Sequence, residues 1–380
     1  YRGVLKSEAG SGGITETPHI AWAGIDPDDP STQLGRYAAM GDLNGDGLSE
    51  LLIAQYQHDD LTISGTNHGT LRVIDAASIP EETGPAEFLS PSLAAWSSPP
   101  GLNNGDQTGW NAAVFDMDGD DQVDLLVSSL NDEVPDNPSN TGTVAVYKGV
   151  AGAMPEAAAM MTLGGEANGD VFGLTFAPLG DVTGDGTSDL FVFAHRNDEL
   201  GPEVGRPYLV SGADGARTAL DFPGEASGSQ IGQGVAFVED LDGDGYPEAM
   251  VGAPELEVDG LTGIQPGSAM IFKGSEDGFS SEPSMTYTLF TGHSNGDRLG
   301  YDVGGAGDFD GDGHDDLAFL ARYDDQPNNK NAYSHDGTCG GSRNNTGSVL
   351  IFKGSSDALP EGEPDFVWYG AQTGQSIRYL

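Results

Sequence analysis

Short apolar runs recur along the chain, each bounded by glycine and acidic residues: 51–54, 125–127, 190–193, 249–251 and 317–320. Runs this short, with polar punctuation and no three-to-four-residue periodicity, predict buried strands rather than helices. An extended segment with a glycine at or near its start precedes each run, at 35–41, 109–115, 172–180, 231–239 and 299–307. A third element follows a variable connection, at 70–74, 142–147, 206–210, 267–272 and 347–352. A fourth closes the unit at 159–163, 216–220, 285–290 and 366–369; in the first unit it falls somewhere within 86–96. Four short strands repeated every ~60–70 residues is the rhythm of a β-propeller blade. A lone blade exposes both faces, so blades must cover one another.

The expected fold is therefore all-β: a single β-propeller over 1–380 built from four-stranded antiparallel blades at 34–96, 109–165, 171–223, 231–292 and 299–370. Gly3-Val-Leu5 followed by Pro18 to Gly24 has the pattern of Gly347 to Phe352 followed by Pro364 to Gly370. Residues 1–24 thus read as strands three and four of a partial blade, and 375–380 as the start of a further one. Partial blades at both ends, and a first residue Tyr1 with neither initiator Met nor signal peptide, lead us to expect a piece of a longer six- or seven-bladed ring.

An acidic loop joins the first and second strands of every unit. Its odd positions hold Asp42, Asn44, Asp46, Leu48 and Glu50 in the first unit and Asp116, Asp118, Asp120, Gln122 and Asp124 in the second. The third has Asp181, Thr183, Asp185, Thr187 and Asp189, and the fourth Asp240, Asp242, Asp244, Tyr246 and Glu248. The fifth has Asp308, Asp310, Asp312, His314 and Asp316, and successive loops start 74, 65, 59 and 68 residues apart. Side-chain oxygens at positions one, three, five and nine, with a backbone carbonyl expected at seven, are a hard oxygen set that suits Ca²⁺ ahead of the smaller, more rigid Mg²⁺. About five calcium ions are expected, one per complete blade. Thr183 removes a carboxylate from the third loop, and Asp121 stands where the other loops have a turn glycine, so both sites are expected to be weaker. An EF-hand would need a bidentate Glu at position twelve and flanking helices; Ile53, Val127, Val192, Val251 and Phe319 stand there instead. The ninth-position acid then lies at the entry to the second strand.

These loops, with Phe172-Gly173 and Val251-Gly-Ala-Pro254, resemble FG-GAP repeats, the blades of integrin α-chain propellers and of many bacterial surface proteins. Leu34-Gly35, Ile231-Gly232 and Leu299-Gly300 are near matches. The resemblance implies calcium in the loop between strands one and two. It also implies partner binding on the opposite rim, formed by the connections between strands two and three and between strand four and the next blade. No inserted metal-dependent adhesion domain and no Arg-Gly-Asp sequence is visible.

Composition narrows the function. Fifteen Lys and Arg against 60 Asp and Glu leave a net charge of −45, which repels phosphate backbones and anionic lipid and so excludes nucleic-acid binding. Five Ca²⁺ would bring −45 to −35. No apolar stretch is long enough for a membrane-spanning helix. The one cysteine, Cys339, cannot form an internal disulfide, and with His335 it makes too small a set for structural zinc.

Other features are secondary. The segment 324–346, with Asp324, Asp325, Asn328, Asn329, His335, Asp336 and Arg343, is the longest connection between strands two and three. With 56–69, 131–141, 195–205 and 254–266 it is expected on one rim, as a composite binding face. Gly292-His293-Ser294-Asn-Gly296 matches a nucleophile-elbow pattern but lies between strands with no helix after it. Trp22, Trp96, Trp110 and Trp368 are expected in blade packing, with a carbohydrate platform as the alternative, and Asn344 heads a glycosylation sequon. The favoured function is an extracellular or cell-surface propeller that binds a protein or glycan in adhesion or surface assembly. A propeller domain of a secreted polysaccharide-degrading enzyme is the alternative, and an architectural repeat of a large surface structure a third reading.

Overall fold

A computed structural model of the chain describes residues 20–22, 38–60, 62–78, 87–89, 94–134, 140–183, 185–199, 204–219, 231–238, 240–242, 244–256, 266–275, 279–280, 282–288, 297–324, 347–355, 359–360 and 362–369. They divide into two compact units, Tyr1–Asp116 with Asp120–Gly164, and Met117–Gly119 with Gly165–Leu380. Among the described residues the only helical element is a 3-10 turn at Ala76–Ser78, and no helix is long and apolar enough to cross a membrane.

The first unit opens with β1 (Ile20–Trp22). Its first four-stranded sheet is β2 (Ala38–Gly41), β3 (Glu50–Gln55), β4 (Thr70–Ile74) and, after β5 (Glu87–Leu89), β6 (Trp96–Ser97). The second sheet is β7 (Thr108–Phe115), β8 (Asp124–Ser129), β9 (Thr143–Tyr147) and β10 (Met161–Gly164). The second unit holds three more. They are β11 (Phe172–Pro178), β12 (Leu190–Ala194), β13 (Arg206–Val210) and β14 (Arg217–Ala219); β15 (Val235–Val238), β16 (Glu248–Ala253), β17 (Ser268–Phe272) and β18 (Met285–Thr288); and β19 (Leu299–Gly307), β20 (Asp316–Ala321), β21 (Ser348–Phe352) and β22 (Phe366–Tyr369). Each of the five sheets is an antiparallel meander in chain order.

These are the five units expected from the apolar runs, with shifted edges. β15 starts at Val235 because Ile231–Gly234 is a turn. The uncertain fourth strand of the first sheet is the two-residue β6. Ile20–Trp22 pairs in parallel with Glu87–Leu89, a ladder of a different kind from those of the five sheets. The segments 3–5, 34–35, 292–296, 325–346 and 375–380 lie outside the described residues, and with them the elbow-like motif, His335, Cys339, Arg343 and the sequon.

Burial follows strand position. Every residue of β8, β12, β16 and β20 is buried, whereas β14 and β22 are largely exposed. A second strand has hydrogen-bonded neighbours on both sides and covered faces, which is why its sequence is continuously apolar rather than alternating.

Within each unit the sheets pack face to face. In the first, Leu52, Val73 and Trp96 meet Ala112, Leu125 and Tyr147 of the next sheet, with the Trp96 and Tyr147 rings edge-on at 5.0 Å. In the second, Phe191 and Phe193 pack with Val251 and Phe272, and Tyr287 meets Phe352 at 4.8 Å. Isolated parallel bridges, Gly69 to Thr108 and Gly267 to Leu299, tie the start of one sheet's third strand to the first strand of the following sheet.

Candidate metal loops

The five acidic loops are wired alike. The carboxylate at position one accepts backbone N–H bonds from position six: Gly47 to Asp42 at 2.9 Å, Asp121 to Asp116 at 2.9 Å, Gly186 to Asp181 at 2.9 Å, Gly245 to Asp240 at 2.8 Å and Gly313 to Asp308 at 3.0 Å. The carboxylate at position five accepts from position seven: Leu48 to Asp46, Gln122 to Asp120, Thr187 to Asp185, Tyr246 to Asp244 and His314 to Asp312, all between 2.8 and 3.0 Å. Such aspartate-to-backbone bonds make the turn locally, before any tertiary contact. Asp121 adopts φ 65°, so the residue replacing glycine does take up the left-handed turn.

The ninth-position acids Glu50, Asp124, Asp189, Glu248 and Asp316 are fully buried. Four begin a second strand, and Asp189 stands just before one. Four also accept the position-two N–H, from Leu43 at 2.7 Å, Val182 at 2.8 Å, Leu241 at 2.7 Å and Phe309 at 2.9 Å. The loop therefore closes on its own last residue.

The structure brings carboxylates together within 4.8 Å in the second loop (Asp116, Asp118, Asp124), the fourth (Asp240, Asp242, Asp244) and the fifth (Asp308, Asp310, Asp316). In the first loop Asp46 and Glu50 meet Asp75, an acid that loop spacing alone does not reveal. In the third, Thr183 turns its hydroxyl to Asp189 at 3.3 Å. Leu48 and Tyr246 at position seven expose their side chains, leaving only backbone to offer a ligand there.

Two oxygens of the fourth loop, Asp242 Oδ1 and Glu248 Oε1, are buried without a hydrogen-bond partner among the described residues. Burial, with Asp242, Asp244 and Asp240 alongside, pushes the Glu248 carboxyl up to about 7. A buried carboxylate oxygen with no donor is costly, and a hard cation is a group that would satisfy it. The residues present thus fit a calcium ion.

At the other end of the sheets lies a feature that the loop pattern does not disclose. Asp106, Asp170 and Asp297 each stand three residues before the glycine of a first strand, and each is at most 2% exposed. Asp170 accepts N–H bonds from Glu166 at 3.1 Å and Ala167 at 2.8 Å, and one from the Asn197 side chain at 3.1 Å. Asp106 accepts the Asn103 N–H at 2.6 Å and gathers with Asp132 and Glu133. Burial raises Asp106 to about 6. Their recurrence in frame was the available signal.

The connection 56–69 joins the one at 98–108 through Thr66 N–H to Asn104 Oδ1 at 2.8 Å, Gln107 N–H to Asn67 O at 3.1 Å and Thr108 N–H to His68 O at 3.0 Å. Asn131 Nδ2 adds a bond to Gly105 O at 2.8 Å. A strand two-to-three connection and the connections flanking it thus form one hydrogen-bonded surface, opposite the acidic loops of the same sheets.

No family model matches the chain. Integrin alpha-IIb of Homo sapiens is 34% identical over 164 residues, 41% of this chain and 15% of that protein. Integrin alpha-8 of Homo sapiens is 26% identical over 217 residues, 55% of this chain and 19% of that protein. Integrin alpha-PS2 of Drosophila melanogaster is 28% identical over 238 residues, 59% of this chain and 16% of that protein. The matched part of the chain spans less than a fifth of the length of these relatives. This chain is thus similar to several integrin alpha chains, and its five sheets share one loop wiring and the glycine pattern of the first strands.

Proposed function

We propose that the chain is a non-catalytic, calcium-stabilised propeller section that works outside the cell or on its surface, with its five sheets as consecutive blades of a six- or seven-bladed ring. Calcium would be held by the side chains at positions one, three, five and nine of each loop and by the carbonyl at seven. It would supply charge neutralisation: ions at these loops offset the repulsion among converging carboxylates and couple binding to folding. The observation that carries this reading is the pair of buried oxygens on Asp242 and Glu248 that have no hydrogen-bond partner among the described residues. Millimolar extracellular calcium would fill even weak loops.

The partner is a protein or glycan bound by the rim opposite the calcium loops. The likeness to integrin alpha chains supports an adhesion role, and the joined connections around Asn104, Asn67 and Asn131 supply a preformed polar surface. The test is capture of cells, matrix proteins and glycans by the immobilised chain, with and without calcium. Capture lost on substituting Asn103, Asn104 and Glu133 together, with calcium uptake intact, supports the reading; capture indifferent to that rim and to chelation overturns it.

A further inference from the structure

The residue that leaves the third strand of each sheet lies against the acidic loop. It is Asp75, Lys148, Ser211, Lys273 and Lys353 in the five repeats. The glycine after it is set by close approach in the last four: a Cβ on Gly149, Gly212, Gly274 or Gly354 would overlap the backbone carbonyl of Val123, Ser188, Pro247 or Asp315, the eighth loop residue. Gly149 and Gly354 also donate their N–H groups to the ninth-position acids, Asp124 at 2.7 Å and Asp316 at 2.9 Å. The residue before the glycine is thereby held at the loop.

Its identity varies with the third loop position. Lysine occurs where that position is Asp118, Asp242 or Asp310; Asp75 and Ser211 occur where it is Asn44 or Thr183. Three of the chain's five lysines stand here. Lys273 Nζ binds Asp242 Oδ2 and lies 3.8 Å from Asp244, Lys353 binds Asp310, and Lys148 binds Asp120 at 2.7 Å. Ser211 makes the neutral version of the contact, donating to Asp185 at 2.7 Å. In the fourth loop the ammonium takes one oxygen of Asp242 and leaves the other, Oδ1, buried and without a hydrogen-bond partner among the described residues.

We propose that Lys148, Lys273 and Lys353 are positioning residues of the second, fourth and fifth calcium loops, each holding one oxygen of a loop carboxylate so that the other is presented to the ion. The inference rests on the calcium reading above. Charge accounts for the pattern in four repeats: Asp240, Asp242, Asp244 and Glu248 carry −4, and Lys273 brings the loop to −3, the charge that Asp181, Asp185 and Asp189 carry with Thr183 between them; the first loop departs from it, since Asp75 takes Asp42, Asp46 and Glu50 from −3 to −4. An ammonium beside a divalent cation would on charge alone weaken binding. Outer groups that orient metal ligands have the opposite effect, and losing them costs about 10–100-fold in affinity. The sign of the change on removing the lysine therefore decides between the two roles.

Tyr246, at position seven of the fourth loop, supplies a reporter, since its ring can sensitise a terbium ion bound there. The terbium luminescence that disappears in Tyr246→Phe belongs to this loop and can be titrated, then displaced with calcium. Lys273→Met is expected to raise the calcium concentration needed about tenfold or more, and Lys273→Arg to restore it. Equilibrium dialysis on the triple Lys→Met variant, with circular dichroism to follow the strands, is expected to show three sites lost from about five at the calcium level that fills the parent. Unchanged or tighter calcium binding in folded Lys273→Met overturns the proposal while leaving the calcium reading intact. A parent chain that takes up no calcium overturns both.

Discussion

Gly252 of β16 and Gly300 of β19 are pressed backbone to backbone: a methyl group on Gly252 would overlap the Gly300 carbonyl, and one on Gly300 would lie 2.8 Å from Gly252 Cα. Gly300 also sits at φ 79°, where an L side chain is strained. The glycine of the FG pair in one repeat and that of the GAP triplet in the preceding one thus form a single contact between neighbouring sheets. Gly252→Ala is expected to cost about 3 kcal/mol or more, since backbone cannot yield as a side chain can. Gly304→Ala, on β19 with no atom of the described residues within 4 Å of its Cβ position, is the control and should change stability by ~0.5 kcal/mol or less. Paired denaturant melts check both.

Phe191 touches Phe193, Phe237 and Phe279 at ring separations of 5.3, 5.4 and 6.1 Å and is fully buried. Phe191→Ala is expected to destabilise the second unit by about 3–5 kcal/mol through a cavity between two sheets. Exposed Phe366→Ala, on an edge strand, should cost far less. Thermal melting of the two variants side by side tests the ranking.

Asp106 is buried beside Asp132 and Glu133, and its carboxyl is raised to about 6. The folded chain therefore holds a proton there that the unfolded chain releases near pH 4. This contribution to stability is fully present below the unfolded value and is lost as pH rises to about 6. Asp106→Asn keeps an acceptor for the Asn103 N–H and should raise stability by on the order of 1 kcal/mol at pH 8, with the gain vanishing near pH 4. Melting in chelator at the two pH values measures it; a gain of equal size at both would sink the electrostatic account.

Removing calcium should lower the melting temperature markedly. One site filled a hundredfold above its dissociation constant is worth about 2.7 kcal/mol. Glu248→Gln keeps the acceptor for the Leu241 N–H but removes a charge, so it should reduce the calcium dependence of melting while barely shifting the melt in chelator. Scanning calorimetry with calcium and with chelator separates the two effects.

The sequence by itself determined the strands, their order within each sheet and the loop turns. Those are local matters: an apolar run too short for a helix and bounded by glycine and aspartate reads as a strand, and an aspartate one place before Leu43 or Leu241 bonds its own backbone without help from elsewhere. The ninth-position acids were legible too, because the apolar residue at position twelve places them at a strand entry. Tertiary structure alone decided which residues from distant chain join each loop. Asp75 reaches Asp46 and Glu50, and Lys273 reaches Asp242, because antiparallel pairing of the second and third strands returns the chain to the loop, and loop spacing carries no record of that return. The same holds for Gly252 and Gly300: each looks like an ordinary strand glycine until two sheets are packed close enough for their backbones to touch.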